Sequence, residues 1–199
     1  EAIFEAVCDY YGISYKMSAL NDIEGHWACN HIKKLYEAKI ITGDTDGNFY
    51  PNSFITKAMV ATMAAKLLSY CGVVDDGPCK ISIKDISGHW AYASIIKLAS
   101  YGIVSGDECF NFNPDAQATR AMVAVIASNV LTTLVGNSIS TEGSYFADVE
   151  THCAKNHITK LANAGIITGD DDGNYHPDSK TMKCEAAAIM SRILTYVGK

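Results

Sequence analysis

The feature that most limits what this chain can fold into is a repeat of fixed period. Residues 20–51 read LNDIEGHWACNHIKKLYEAKIITGDTDGNFYP, residues 83–114 read IKDISGHWAYASIIKLASYGIVSGDECFNFNP, and residues 146–177 read FADVETHCAKNHITKLANAGIITGDDDGNYHP. His26, His89 and His152 stand 63 residues apart, and so do Gly43, Gly106 and Gly169, and Pro51, Pro114 and Pro177. No insertion breaks the register. A strict period of this kind marks a repeat architecture, in which each unit buries its apolar face against its neighbours. A lone unit of about 60 residues has a marginal core. The three units are therefore expected to pack as one domain over residues 1–199, with repeats at 20–72, 83–135 and 146–199.

Each unit follows one plan. An entry of the Asn21-Asp22-Ile23 type leads into a helix expected to start near His26. Trp27, His31, Leu35 and Ala38 recur at helical spacing, as do Trp90, Ser94, Leu98 and Tyr101. Gly102 and Gly165 fall where a left-handed helix C-cap is expected; Lys39 takes that place in the first copy and should be strained there. An apolar pair follows (Ile40-Ile41, Ile103-Val104, Ile166-Ile167), enough for one short extended segment. Then come a Gly-Asp turn, an aromatic (Phe49, Phe112, Tyr175) and the proline. The second helix carries Ile55, Met59, Met63 and Leu67 in copy one, Met122, Ile126 and Val130 in copy two, and Ala186, Met190 and Ile193 in copy three. Residues 72–80 and 136–143 read as exposed loops. Residues 1–11 resemble the tail of a second helix, with Cys8 in register with Cys71, and are expected to cap the array. The fold class is mainly α: three helix-turn-helix repeats with short extended segments.

Composition removes several functions. With 48% hydrophobic and 19% charged residues the chain is an ordinary folded protein, and its net charge of −6 argues against a nucleic-acid binder. The most apolar run, residues 123–135, is interrupted by Ser128, Asn129, Thr132 and Thr133, so it reads as a core helix and no membrane insertion is expected. No leader is legible in a sequence that opens on Glu1. The seven cysteines form no C-x-x-C pair, which speaks against zinc; Cys71 and Cys79 could bridge across Gly77-Pro78, and the plainer reading is incidental thiols. His26, His89 and His152 read as helix-start residues beside the tryptophan rather than as metal ligands. The runs Asp44-Thr45-Asp46-Gly47-Asn48 and Asp170-Asp171-Asp172-Gly173-Asn174 resemble the start of a calcium loop. They lack its twelfth-position Glu, where Ile55 and Thr181 stand, and read as tight turns. No hydrolase, phosphate-loop or zinc-peptidase signature is present, so no enzyme activity, metal or cofactor is expected.

The entry to the second helix is the most informative place. Thr56 and Thr119 are good N-caps. Directly after the cap stand Lys57, Arg120 and Lys183, where the helix dipole favours an acid. A cation beside free N-terminal amides makes an anion site, so recognition of a carboxylate or phosphate is expected. Arg120 ranks first because its fork can hold a carboxylate bidentately, then Lys57, then Lys183.

Asp22-Ile23-x-x-His26-Trp27-Ala28, Ile40-Ile41-x-Gly43, Phe49-x-Pro51 and Thr56-Lys57-Ala58, repeated three times in register over nearly the whole chain, resemble the surface-layer homology repeat. That resemblance implies a pseudo-threefold, mostly helical spindle. It implies noncovalent attachment of exported proteins to the bacterial cell wall, at the cell surface. The implied ligand is an anionic secondary wall polysaccharide, often ending in a pyruvylated amino sugar, held in grooves between repeats. Peptidoglycan or neighbouring surface-layer proteins would be further partners under the same resemblance. The cation of the family's Thr-Arg-Ala-Glu motif, at Lys57, Arg120 and Lys183, would meet the ligand carboxylate. Thr56 and Thr119, the turn residues Asp44, Asp107 and Asp170, and the close-approach glycines Gly43, Gly106 and Gly169 would line the grooves. Trp27 and Trp90 would either stack on a sugar or, the reading preferred from the residues alone, anchor the core. The sequence departs from the motif: Met59 and Met122 replace Glu, Met182 replaces Thr in the copy that keeps Glu185, and Cys153 replaces Trp. These departures favour the rival reading, a surface assembly domain that has lost sugar binding.

Overall fold

The second helix of each repeat is apolar over most of its circumference, the pattern of a helix largely surrounded by its neighbours. The computed structural model describes residues 20–74, 82–143 and 145–199; the expected helix at 1–11 and Cys79 lie outside them. Six α-helices occur among these residues: α1 Cys29–Glu37, α2 Lys57–Tyr70, α3 Tyr92–Ser100, α4 Arg120–Val135, α5 Lys155–Asn163 and α6 Lys183–Tyr196. The inner helices α2, α4 and α6 pack pairwise at the centre. Runs of small residues (Ala58, Ala61, Ala64; Ala121, Ala124, Ala127; Ala186, Ala187, Ala188) let them approach closely, and Leu67, Ile126, Val130, Met190 and Ile193 fill the space between.

The outer helices are amphipathic and bury one stripe: Ile32 and Leu35 on α1, Ile95 and Leu98 on α3, Ile158 and Leu161 on α5. Each stripe lies on the inner helix of the preceding repeat. Thus α3 packs on α2, α5 on α4, and α1 returns to α6, closing a ring of three repeats around one continuous core. A lysine marks each of these contacts. Lys34 Nζ donates to Thr195 Oγ1 (2.9 Å), Lys97 to Ser69 Oγ (3.0 Å) and Lys160 to Thr132 Oγ1 (2.6 Å), in the last turns of the inner helices. A cation there complements the negative end of the helix dipole. Lys160 is buried, and desolvation draws its ammonium below the ordinary lysine range.

The helix starts are set by side chains. The first helix begins three residues after the expected position, because His26, His89 and His152 open a turn that precedes it. Each Nδ1 accepts the amide proton of Ala28, Ala91 or Ala154 (3.0–3.1 Å). The opposite Nε2 lies 3.1 Å from Asn52 Oδ1, 3.3 Å from Asp115 Oδ1 and 3.4 Å from Asp178 Oδ1. With Nδ1 accepting, neutral imidazole carries its proton on Nε2 and donates it there. Thr56 and Thr119 cap as expected, accepting from the Met59 and Met122 amides. Lys39 is left-handed (φ 57°) beside the matching Gly102 and Gly165 (both 67°).

The apolar pair after α1 forms no strand. Ile40 folds back so that its amide reaches Leu35 O (2.9 Å), and Ile103 and Ile166 do the same to Leu98 and Leu161. The β pairing among the described residues lies instead just before the inner helices, as three isolated antiparallel bridges between repeats: Phe54 with Met182, Thr56 with Gln117, and Thr119 with Lys180. At their centre the Ile55 amide donates to Thr181 O, the Thr181 amide to Ala118 O, and the Ala118 amide to Ile55 O (2.9–3.0 Å). All three residues are buried. Thr181 Oγ1 is buried there with no hydrogen-bond partner. An unpaired buried hydroxyl costs about 1–3 kcal/mol. Replacing Thr181 with the isosteric Val is expected to raise stability by about 1 kcal/mol, read as a higher thermal midpoint. A lower midpoint would show that the hydroxyl has a use in this ring.

Candidate functional site

The expected anion site at a free helix N-terminus is not what the inner helices present. Their first two amides are bonded to carbonyls of the next repeat: Lys57 to Ala116 O and Ala58 to Pro114 O, Arg120 to Ser179 O and Ala121 to Pro177 O, Lys183 to Ser53 O and Cys184 to Pro51 O (2.8–2.9 Å). With the third amide of α2 and α4 capped by threonine, the orphan donors at these ends are already used. Short extended segments from neighbouring repeats cover the helix ends, a long-range pairing with no local sequence signal.

The cations reach across the same junctions. Lys57 Nζ donates to Phe112 O (3.2 Å), Arg120 Nε to Tyr175 O (2.8 Å) and Lys183 Nζ to Phe49 O (3.1 Å). Each sits over the aromatic ring whose carbonyl it holds, at 5.9, 4.6 and 5.8 Å from the centroid. Arg120 Nη1 also pairs with Glu185 Oε1 (2.8 Å), while Glu185 Oε2 accepts the Met182 amide (2.7 Å). The Arg120 fork is therefore largely committed to protein. Burial pushes the Tyr175 phenol up to about 12, and it donates to Arg120 O (3.2 Å). Burial draws Lys183 below the ordinary lysine range, against the opposing pull of Asp22 and Asp44.

Beside these cations lie two inter-repeat grooves. One, of about 490 Å³, is lined by Arg120 from repeat two, by Gly169, Asp170, Asn174, Tyr175, His176, Glu185 and Arg192 from repeat three, and by Trp27 from repeat one. The other, of about 380 Å³, takes Lys183 from repeat three, Gly43, Asp44, Asn48, Phe49, Tyr50, Met59 and Lys66 from repeat one, and Trp90 from repeat two. All three repeats contribute to each. The core-anchor reading of the tryptophans is overturned: Trp27 is 61% and Trp90 62% exposed, each a wall of a groove, because α1 and α3 begin only after them. Their neighbours His26 and His89 lie tilted against them (centroids 5.6 and 5.3 Å). At the third junction Lys57 meets Phe112, the turn carries Gly106 and Asp107, and Cys153 occupies the tryptophan position.

The Gly-Asp turns explain their own sequence. Asp44 Oδ1 accepts the Asp46 and Asn48 amides (2.9 Å), and Asp107 and Asp170 repeat this with Cys109 and Asn111, and with Asp172 and Asn174. A Cβ on Gly106 or Gly169 would lie 2.7 Å from the backbone of Phe110 or from Asn174 O, so the turn itself requires these glycines, while at Gly43 the nearest atom, at 2.8 Å, is the end of the Leu20 side chain. Asp22, Asp85 and Asp148 have a role that was not legible. Each takes two successive amides with its two carboxylate oxygens: Phe49 and Tyr50, Phe112 and Asn113, Tyr175 and His176. The second residue of each pair is left-handed (φ 57–58°) without being glycine. Such a conformation costs about 1 kcal/mol or more, and the carboxylate clamp holds it. It aims Tyr50 and His176 into the two grooves. His176 Nε2 lies 2.5 Å from Asp170 Oδ2. Arg192 and Lys66, seven residues after Glu185 and Met59, also line the grooves and were not singled out.

Three repeats thus close into a ring with two aromatic- and cation-lined grooves between them. The S-layer homology domain model matches residues 19–59, 82–122 and 145–187, and the chain belongs to that family of cell-wall-binding, cell-surface repeats. Cell surface glycoprotein 1 of Acetivibrio thermocellus is 32% identical over 77% of the chain, and the cellulosome-anchoring protein of the same organism 37% over 49%. An S-layer protein of Bacillus licheniformis is 29% identical over 84%. The matched segment spans 7%, 22% and 18% of these relatives. No helix among the described residues is long and apolar enough to cross a membrane.

The carboxylates of these turns give the fold a pH dependence. Amides of Asn48, Asn111 and Asn174 hold Asp44, Asp107 and Asp170 below the usual range. Desolvation raises Asp148, but the Tyr175 and His176 amides outweigh it and leave it lowered. A folded pKa below the unfolded value of about 3.9 stabilises fully above that value and is lost as pH falls through the folded pKa. Burial also holds the His31 and His157 imidazoles below their ordinary range. The urea midpoint should therefore begin to fall as pH drops through about 6.5 and fall further below about 4 as the carboxylates protonate. Asp148→Asn should cost more stability at neutral pH than at about pH 2.

Proposed function

We propose that the chain holds an exported protein on the bacterial cell wall by binding an anionic secondary wall polysaccharide in its inter-repeat grooves. The single observation that carries this reading is the pair of solvent-open grooves in which an exposed tryptophan faces cations. An indole face suits the apolar face of a sugar ring, and cations suit its acidic substituent. Arg120 and Lys183 stand at the groove floors, the Gly-Asp turns shape them, and Trp27 and Trp90 close one side. A pyruvylated amino sugar fits this chemistry, since it joins a ring, a carboxylate and a methyl group. The surface and anchoring names of the relatives agree with it.

Sacculi from the source organism, intact or stripped of secondary polymer by acid, test the reading. Binding to intact sacculi only is expected. Trp27→Ala combined with Trp90→Ala should abolish it with the thermal midpoint nearly unchanged, because both side chains are exposed. Equal binding to stripped sacculi would point to peptidoglycan. Binding to neither would point to a protein partner, the role of an assembly domain.

A further inference from the structure

The two grooves differ from the third junction at two places at once. The wall residue is Trp27 in one, Trp90 in the next and Cys153 in the third. The helix position two turns in is Arg192, Lys66 and Asn129 in the same order. Both junctions that keep the indole also keep the second cation, and the junction that loses one loses both. Backbone support does not explain the pattern. Arg192 Nη1 donates to Ile166 O (2.9 Å), and Asn129 Nδ2 donates to the equivalent Ile103 O (3.3 Å). The exchange of arginine for asparagine keeps that bond and discards the charge.

The first cations are poorly placed to receive an anion. Arg120 is already paired with Glu185 and bonded to Tyr175 O, and Lys183 is half-buried on Phe49 O. No carboxylate among the described residues lies in ion-pair range of Arg192 or Lys66, and Lys66 is exposed. Charge that the protein does not itself neutralise is charge available to a ligand.

We propose that Arg192 in one groove and Lys66 in the other receive the ligand's anionic group, each opposite a tryptophan, and that the third junction binds no ligand. This rests on the wall-polymer reading. Arg120 and Lys183 then act as positioning residues that tie the groove walls together. The ligand is an acidic sugar whose ring covers the indole while its carboxylate or phosphate reaches the second cation. Two such sites on one chain give a bivalent grip on a repeating polymer, tighter than either site alone.

The chain contains two tryptophans, one per groove, so each groove has its own fluorescent reporter. In a Trp90→Phe chain, emission reports the Trp27 groove; in a Trp27→Phe chain, the other. The probe is a fragment of the polymer released from sacculi by acid, too short to span both grooves, so that each groove titrates on its own. Arg192→Gln is expected to weaken quenching of Trp27 about tenfold or more and to leave Trp90 unchanged; Lys66→Gln should do the reverse. Arg192→Lys should keep most of the affinity. With both native tryptophans replaced by Phe, Cys153→Trp together with Asn129→Arg should give a quenchable groove that Cys153→Trp alone does not. Arg192→Gln and Lys66→Gln chains that titrate like their parents would overturn the assignment, as would strong quenching in the Cys153→Trp chain alone. Failure of the underlying reading looks different: the polymer would then quench neither tryptophan even in the chain with both cations intact.

Discussion

Three backbone hydrogen bonds at the end of the inner helices hold everything else in place. Ile55, Ala118 and Thr181 pass an amide-to-carbonyl bond around a closed triangle, and each comes from a different repeat. A buried peptide group must find a partner, and here the partner is always the next repeat. The same junctions satisfy the first amides of α2, α4 and α6 with carbonyls of residues 51–53, 114–116 and 177–179. No repeat completes its own hydrogen bonding. The threefold arrangement is thus a condition for burying the core, and the grooves are what this closure leaves open at its rim.

The grooves inherit their rigidity from that arrangement. A cation crosses each junction to a carbonyl and stands over the ring of the same residue, so floor and wall are fixed to each other. An aspartate at each repeat entry clamps the chain where it turns left-handed before the proline. Side chains at that bend differ: Tyr50, Asn113 and His176 stand in equivalent places. Backbone geometry is constant across the repeats while the groove-facing chemistry varies, which is how one framework comes to hold unequal sites.

Much of the fold was legible because the period is local and strict. Helix starts at Thr56 and Thr119, the left-handed Lys39, the buried Leu67 and Ile193 and the Asp-based turns all follow from residue chemistry within a few positions. The site was read less well, and for a physical reason. Whether helix amides are free depends on segments more than 50 residues away, so Lys57, Arg120 and Lys183 looked as if they stood beside open amides, whereas those amides are closed and the cations also brace the junctions. A tryptophan at helical spacing usually faces a core, but Trp27 and Trp90 precede their helices and turn outward. Arg192 and Lys66 gave no signal because a charged residue two turns into a helix is ordinary until the neighbouring repeat shows what it faces. The coincidence of Asn129 with Cys153 was present in the sequence, though it acquires meaning only when the junctions are known.

The seating of each outer helix on the previous repeat sets an order for folding. During synthesis α3 can dock on α2 and α5 on α4 almost as soon as they emerge, over short loops. The partner of α1 is α6, the last helix of the chain. Closing a loop of that length is slow relative to the local steps, and until it closes α6 does not cover the Ile32–Leu35 stripe. Until α6 arrives, the ring stays open at the seam between the first and third repeats, so that closure is the last of the three docking steps.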